Sequence, residues 1–226
     1  MRDMPAGIVG YHRELVGLRW AASVVAFATA CLGTASAASP AEELARRIEE
    51  HHQKTRDLVA RFTQTYRSGL IGRESVERGR LSLKRPGQMR WEYEAPEKKT
   101  FVSDGHRFFF YVPADRQVIV KQQGGEHSLP SQLLSGGQIL ESFAVSLEPA
   151  KAEGLLRLRL VPRHDDPEVA EAFLVVDAEA RIRSVEIKDA QGSHSRFDFA
   201  DVKENVGLKD DVFEFTMPKG VEVIEG

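Results

Sequence analysis

Cysteine is almost missing. The 226-residue chain has a single one, Cys31, and it sits in a segment that reads as removable. Arg13 and Arg19 precede an uncharged apolar run, Trp20 to Leu32, which is followed by the small-x-small pattern Ala35-Ser36-Ala37. A basic flank, a short apolar core and a small-residue site make a secretory signal peptide. The run falls short of the roughly 20 apolar residues a transmembrane helix needs. Residues 1–37 are therefore expected to be cleaved, leaving 38–226 as one domain. That mature chain has no disulfide, no thiol nucleophile and no thiolate metal ligand. An uncleaved N-terminal anchor and a lipid attached to Cys31 are the competing expectations, although Ala28 stands where a larger aliphatic residue is usual before a lipidated cysteine.

Positive charge is also scarce. Cleavage would remove three of 31 basic and two of 34 acidic residues, leaving a net charge of −4. Without a basic excess, non-specific nucleic-acid binding is disfavoured. Motifs that carry chemistry are lacking too. The sequence holds no G-x-S-x-G elbow, P-loop or dinucleotide fingerprint. His51, His52, His106, His127, His164 and His194 lack metal-ligand spacing and read as surface residues. Glu92 and Glu94, two apart on a strand, read as solvated charges rather than an acid–base pair. An esterase or glycosidase would lack a site. The expectation is a protein that is not an enzyme and uses no cofactor or metal.

What the sequence does contain is periodic. Ser39-Pro40-Ala41-Glu42 is a capping box with proline at the first helical position, and Ala41, Leu44, Ala45 and Ile48 follow at helical spacing. A helix is expected from Pro40 to about Thr55. From Leu58 onward the period becomes two. Leu81 and Leu83, Met89, Trp91 and Tyr93, Leu156, Leu158 and Leu160, Val185 and Ile187, and Phe197 and Phe199 each alternate with polar neighbours. This is the pattern of antiparallel strands with one apolar and one wet face. Pro86-Gly87 and Asp104-Gly105 mark tight turns. Phe108-Phe109-Phe110-Tyr111 puts rings on both faces of one strand, so both faces must be covered.

Between the strands, residues 129–143 change character. Leu133, Leu134, Ile139, Leu140 and Phe143 surround Gly136-Gly137, which reads as two short helices laid over the apolar face of the sheet. The fold expected is mainly β with short helices: an unclosed antiparallel β-barrel, or half-barrel, with a helical lid over an apolar cavity. Counting by twos from Leu81 and Leu83 puts Arg85 on that inner face at the strand's end. A guanidinium there must find partners, and backbone carbonyls of the 129–142 helices are suitable ones; an exposed turn arginine is the alternative reading.

These residues resemble a known family. Arg61-Phe62-Thr63-Gln64, the block Gly79-Arg80-Leu81-Ser82-Leu83-Lys84-Arg85-Pro86-Gly87-Gln88-Met89-Arg90-Trp91, then Val102-Ser103-Asp104-Gly105 with Phe110-Tyr111, and finally Phe213-Glu214-Phe215 with Pro218-Lys219-Gly220-Val221 are similar, in the same order, to the LolA family of outer-membrane lipoprotein carriers. The resemblance implies a periplasmic chaperone that shields lipoprotein acyl chains. Its donor would be the inner-membrane ABC transporter LolCDE and its acceptor an outer-membrane LolB-type receptor. It also implies that Arg85 latches the lid, and that Leu83, Met89, Trp91, Phe101 and Phe110, with Leu133, Leu134, Ile139 and Leu140 from the lid, surround the acyl chains. Met89 stands where the family often has an aromatic residue, and a C-terminal extension found in some members is expected to be absent. A lipoprotein sensor or membrane-tethered receptor of the same fold is the alternative.

Overall fold

The computed structural model describes residues 38–122, 129–134 and 138–226. The expected signal peptide, Cys31, His127 and Gly136-Gly137 lie outside the described residues. The first element is helix α1 (Pro40–Lys54). Its capping box forms as the sequence requires: the Glu42 N–H donates to Ser39 Oγ at 3.2 Å and the Ser39 N–H to Glu42 Oε2 at 2.7 Å. One face of α1, made by Ala41, Leu44, Ala45, Ile48 and His52, is buried. Six strands follow: β1 (Asp57–Arg67), β2 (Glu74–Lys84), β3 (Gln88–Ala95), β4 (Lys99–Asp104), β5 (Arg107–Val112) and β6 (Gln117–Gln122). Short helices α2 (Leu129–Leu134) and α3 (Ile139–Ser142) precede β7 (Phe143–Glu148), β8 (Leu156–Pro162), β9 (Glu171–Val176), β10 (Ile182–Lys188) and β11 (His194–Glu204). A 3₁₀ turn at Asp210–Phe213 and strand β12 (Glu222–Glu225) complete the described chain.

All twelve strands form one sheet, in the order β12-β6-β5-β4-β3-β2-β1-β11-β10-β9-β8-β7. Two antiparallel meanders, β1–β6 and β7–β11, join where β1 pairs with β11. The end strands β7 and β12 do not meet, so the barrel is unclosed. The one departure from an antiparallel sheet is β12, which runs parallel to β6. The segment leading to it crosses the convex face, where Phe215 and Val221 cover Val102, Phe109 and Val118. It therefore arrives at the β6 edge in the parallel sense and pairs backbone groups that would otherwise be exposed. This segment also explains the doubly apolar β5: Phe109 stacks on Phe215 at 5.0 Å, outside, while Phe108 and Phe110 face inward.

Turns obey the local chemistry. Gly87 and Gly105 take positive φ, and Asp104 Oδ1 accepts from the His106 and Arg107 N–H groups at 2.8 and 2.7 Å, closing the β4–β5 hairpin. On the concave side, α1, α2 and α3 pack with Leu58, Phe62, Leu81, Leu158, Leu160, Leu174 and Phe199 into one continuous core. Glu92 and Glu94 lie on the wet face, ion-paired with Arg90 at 2.9 Å and Arg80 at 2.7 Å. One expectation fails here. His52 is 3% exposed and belongs to the core, because it stands four residues after Ile48 on the apolar stripe of α1. Its neighbour His51 points the other way, to Glu204 at 2.8 Å.

Candidate functional site

Register builds the site. Trp91 faces Phe101 across β3–β4, Phe101 faces Phe110 across β4–β5, and Phe110 faces Ile119 across β5–β6. Cross-strand pairs of this kind stand side by side on one face, so three aromatic rings and an isoleucine form a single row on the concave surface. Beside it runs a second row, Met89, Ser103, Phe108 and Lys121, from the same pairings. Phe101 and Phe110 stack at 4.3 Å with planes 13° apart. Phe62 supports Trp91 and Tyr93 from β1, with centroids 4.9 and 4.8 Å away in edge-to-face contact. Gly79 makes room for this ring: a Cβ there would lie 2.8 Å from Phe62 and run into the Glu92 carbonyl oxygen.

Above these rows lies a cavity of about 660 Å³. Met89, Trp91, Phe101, Phe108, Phe110, Ile119 and Phe197 supply its apolar walls. Ser131 and Gln132 of α2 roof it, and Lys121, Asp166 and Glu168 add charge at its margin. One side ends at Tyr93, whose hydroxyl donates to Gln64 Oε1 at 2.7 Å. Burial, with the Glu77 charge in support, pushes that phenol's pKa up, so it stays a protonated donor. Lys99 lies 4.3 Å over the Tyr93 ring and pairs with Glu77 at 2.7 Å, closing that side.

Roof and floor are joined. The Trp91 indole N–H donates to Ser131 Oγ at 3.1 Å between two buried residues. The other short helix is held at its flank: the Leu140 N–H donates to Glu49 of α1 at 3.1 Å, and the Leu140 carbonyl accepts from Arg163 at 3.2 Å.

Of the residues singled out from sequence, Met89, Trp91, Phe101 and Phe110 line the cavity. Leu83, Leu133, Leu134 and Ile139 are buried in the main core, with Leu140 packed against it. In that core they join Ala41, Leu44, Ala45 and Ile48 of α1, and Met89 and Trp91 of the aromatic rows belong to the same cluster. Leu134 borders a second, narrow space with His52, Leu58, Ala60 and Leu81. Arg85 is half-buried at the end of β2, and its own N–H donates to the Arg56 carbonyl at 2.9 Å. Burial pulls its pKa below the ordinary arginine value, and its charge helps hold His52 neutral. Sequence reasoning did not single out Gln64, Tyr93, Phe108, Ile119, Phe197, Ser131 or Gln132 as cavity residues. Phe108 shares the parity of Phe110 and was findable from that; Ser131 carried no signal.

A curled, unclosed sheet with a roofed aromatic cavity on its concave face defines a binding protein for apolar ligands. Residues 53–216 match the family model described as "Outer membrane lipoprotein carrier protein LolA", and the chain belongs to that family. A protein named outer-membrane lipoprotein carrier protein from Methylococcus capsulatus is 31% identical over 197 residues, 86% of this chain and 93% of the relative. One of the same name from Xanthomonas campestris is 31% identical over 200 residues, 86% of this chain and 95% of its own length. An uncharacterized conserved protein from Thermus thermophilus shares the fold, with a TM-score of 0.55 at 14% identity over 83% of this chain and all of its own.

Proposed function

We propose that this chain is a periplasmic carrier that takes lipoproteins by their acyl chains and delivers them toward the outer membrane. The aromatic cavity beneath α2, hydrogen-bonded to its roof through Trp91 and Ser131, is the observation that carries this reading. The names of relatives 31% identical over 86% of the chain support the nature of the cargo. Donor and acceptor follow from the same reading: the inner-membrane transporter LolCDE and a LolB-type receptor. The carrier performs no reaction and uses no nucleotide or cofactor.

The physical problem for such a protein is release. Each buried methylene contributes roughly 0.8 kcal/mol, so a dozen of them would hold a chain by about 10 kcal/mol. Opening the roof offsets part of this. It breaks the Trp91–Ser131 bond and the bonds of Leu140 to Glu49 and Arg163, and it exposes the lid leucines. Affinity is thereby kept moderate, and cargo moves downhill to an acceptor that pays no opening cost. Arg85, on the inner parity of β2, adds to closure as a latch.

The test is recovery of the protein from periplasm. Triacylated lipoprotein should co-purify with it, and Phe101→Asp, which puts a charge into the aromatic row, should abolish this. Absence of lipoprotein from the wild-type preparation would sink the reading. Arg85→Leu should impair delivery, and a wild-type delivery rate would remove the latch role.

A further inference from the structure

Four of the ten large hydrophobic side chains left exposed among the described residues belong to one hairpin, β1–β2. Leu70 is 85% and Ile71 73% exposed, the two highest values in that set. They occupy the tip, Ser68–Arg73, between Gly69 and Gly72. Behind them, Tyr66 is 40% and Val76 38% exposed, on opposite faces of the two strands. Core packing does not explain such side chains, since solvent surrounds them. Nor is the tip held loosely. Gly69 donates its N–H to Ser193 Oγ at 3.3 Å, and a Cβ at Gly69 would lie 2.7 Å from the Ser193 nitrogen and run into the Gln191 carbonyl oxygen. The tip is seated on the β10–β11 turn, with its two aliphatic side chains directed away from the sheet.

We propose that the β1–β2 tip is a membrane-contact element: Leu70 and Ile71 insert into the interfacial layer of an anionic bilayer, with Tyr66 and Val76 at its surface. Charge and shape select this occupant. Arg67, Arg73 and Arg78 are exposed on the same half of the hairpin, against one exposed carboxylate, Glu74; Glu77 is engaged by Lys99. An aliphatic tip, an aromatic collar and flanking arginines are the order met on entering a membrane with anionic head groups. A protein partner needs a broad face of roughly 800 Å², which a two-residue convex tip does not offer. The inference is separate from acyl-chain binding, but the geometry relates them. The same strand β1 gives Gln64 to the cavity wall, six residues before Leu70, so a seated tip brings the cavity to within a few strand residues of the lipid surface.

The test uses residues 38–226, which contain the whole sheet and core, in co-sedimentation with vesicles of phosphatidylethanolamine and phosphatidylglycerol. The wild-type chain should pellet with these vesicles at low salt and be released as salt rises. Leu70→Glu with Ile71→Glu should lower the partition coefficient at least about 30-fold, since two aliphatic side chains lose their insertion energy. Arg67→Gln with Arg73→Gln should lower it about tenfold at low salt only. Binding of a fluorescent fatty acid reports the cavity independently and should match wild type in all variants. The proposal is overturned if the wild-type chain stays in the supernatant, as it would were the tip shaped for a protein groove, or if the double-glutamate variant pellets like wild type. Loss of fatty-acid binding with vesicle binding intact would instead count against the carrier reading alone.

Discussion

Replacing Ser131 with alanine is expected to loosen the roof and tighten ligand binding together. In the closed protein Ser131 Oγ accepts from the Trp91 indole at 3.1 Å. A neutral hydrogen bond of this kind contributes about 1 kcal/mol net, and more where the abandoned donor stays buried. The indole borders the cavity, so water can reach its N–H and the loss stays near that lower figure. About 1 kcal/mol changes the ratio of open to closed roof about fivefold. Since a ligand must open the roof to enter, a roof that is cheaper to open raises apparent affinity by the same factor. Amide exchange in 129–134 should therefore quicken about fivefold in Ser131→Ala, while the dissociation constant for a fluorescent fatty acid falls by a similar factor. Trp91→Phe also removes ring contacts with Phe62 and Phe197 and lowers stability further. The double-mutant cycle with Ser131→Ala isolates the hydrogen bond, and its coupling should be about 1 kcal/mol. Unchanged exchange together with unchanged or weakened binding would refute the argument that this bond holds the roof.

Two further perturbations probe the frame around the cavity. Burial first, then the nearby charges of His51 and Arg85, lowers the His52 pKa to about 3. The unfolded chain takes up a proton near 6.5, whereas the folded one refuses it until about 3, so this group lowers stability as pH falls through that window. The loss is about 2 kcal/mol by pH 5; urea melts at pH 7.5 and 5 should show it, and His52→Gln should remove it. Gly79→Ala drives a Cβ against Phe62 and the Glu92 carbonyl. It should cost about 2–3 kcal/mol in chemical denaturation, and a melt within 0.5 kcal/mol of wild type, about the scatter of harmless substitutions, would show that the register shift between β2 and β3 at Arg78/Gly79 absorbs the methyl.

Much of the architecture was written locally. The capping box of α1 lies within four residues, the hairpins at Gly87 and Gly105 need one glycine each, and period-two alternation marks the inner face of β2, β3 and β8 without any knowledge of their neighbours. These features depend on contacts close in the chain, which is why reading along the sequence reaches them. The aromatic wall was half legible: the family resemblance named Trp91, Phe101 and Phe110, but their alignment into one row with Ile119 depends on register across four strands. His52 was misread as a surface residue although its position four after Ile48 carried the signal.

The sequence by itself determined a β-rich domain with an apolar inner face and predicted a helical interruption at 129–143. Tertiary structure decided how that inner face is divided. Helix α1 packs against β7, β8 and α3, and its buried residues join the lid leucines in one core. On the β3–β6 side a cavity remains, and among the described residues of α2 it is Ser131 and Gln132 that line it. Tertiary structure also decided that Leu70 and Ile71, as apolar as any core residue, stay outside. The physical reason is common to both outcomes. Apolar periodicity states that a face must leave water, but which atoms cover it depends on residues distant in the chain, and hydrophobic attraction carries no address.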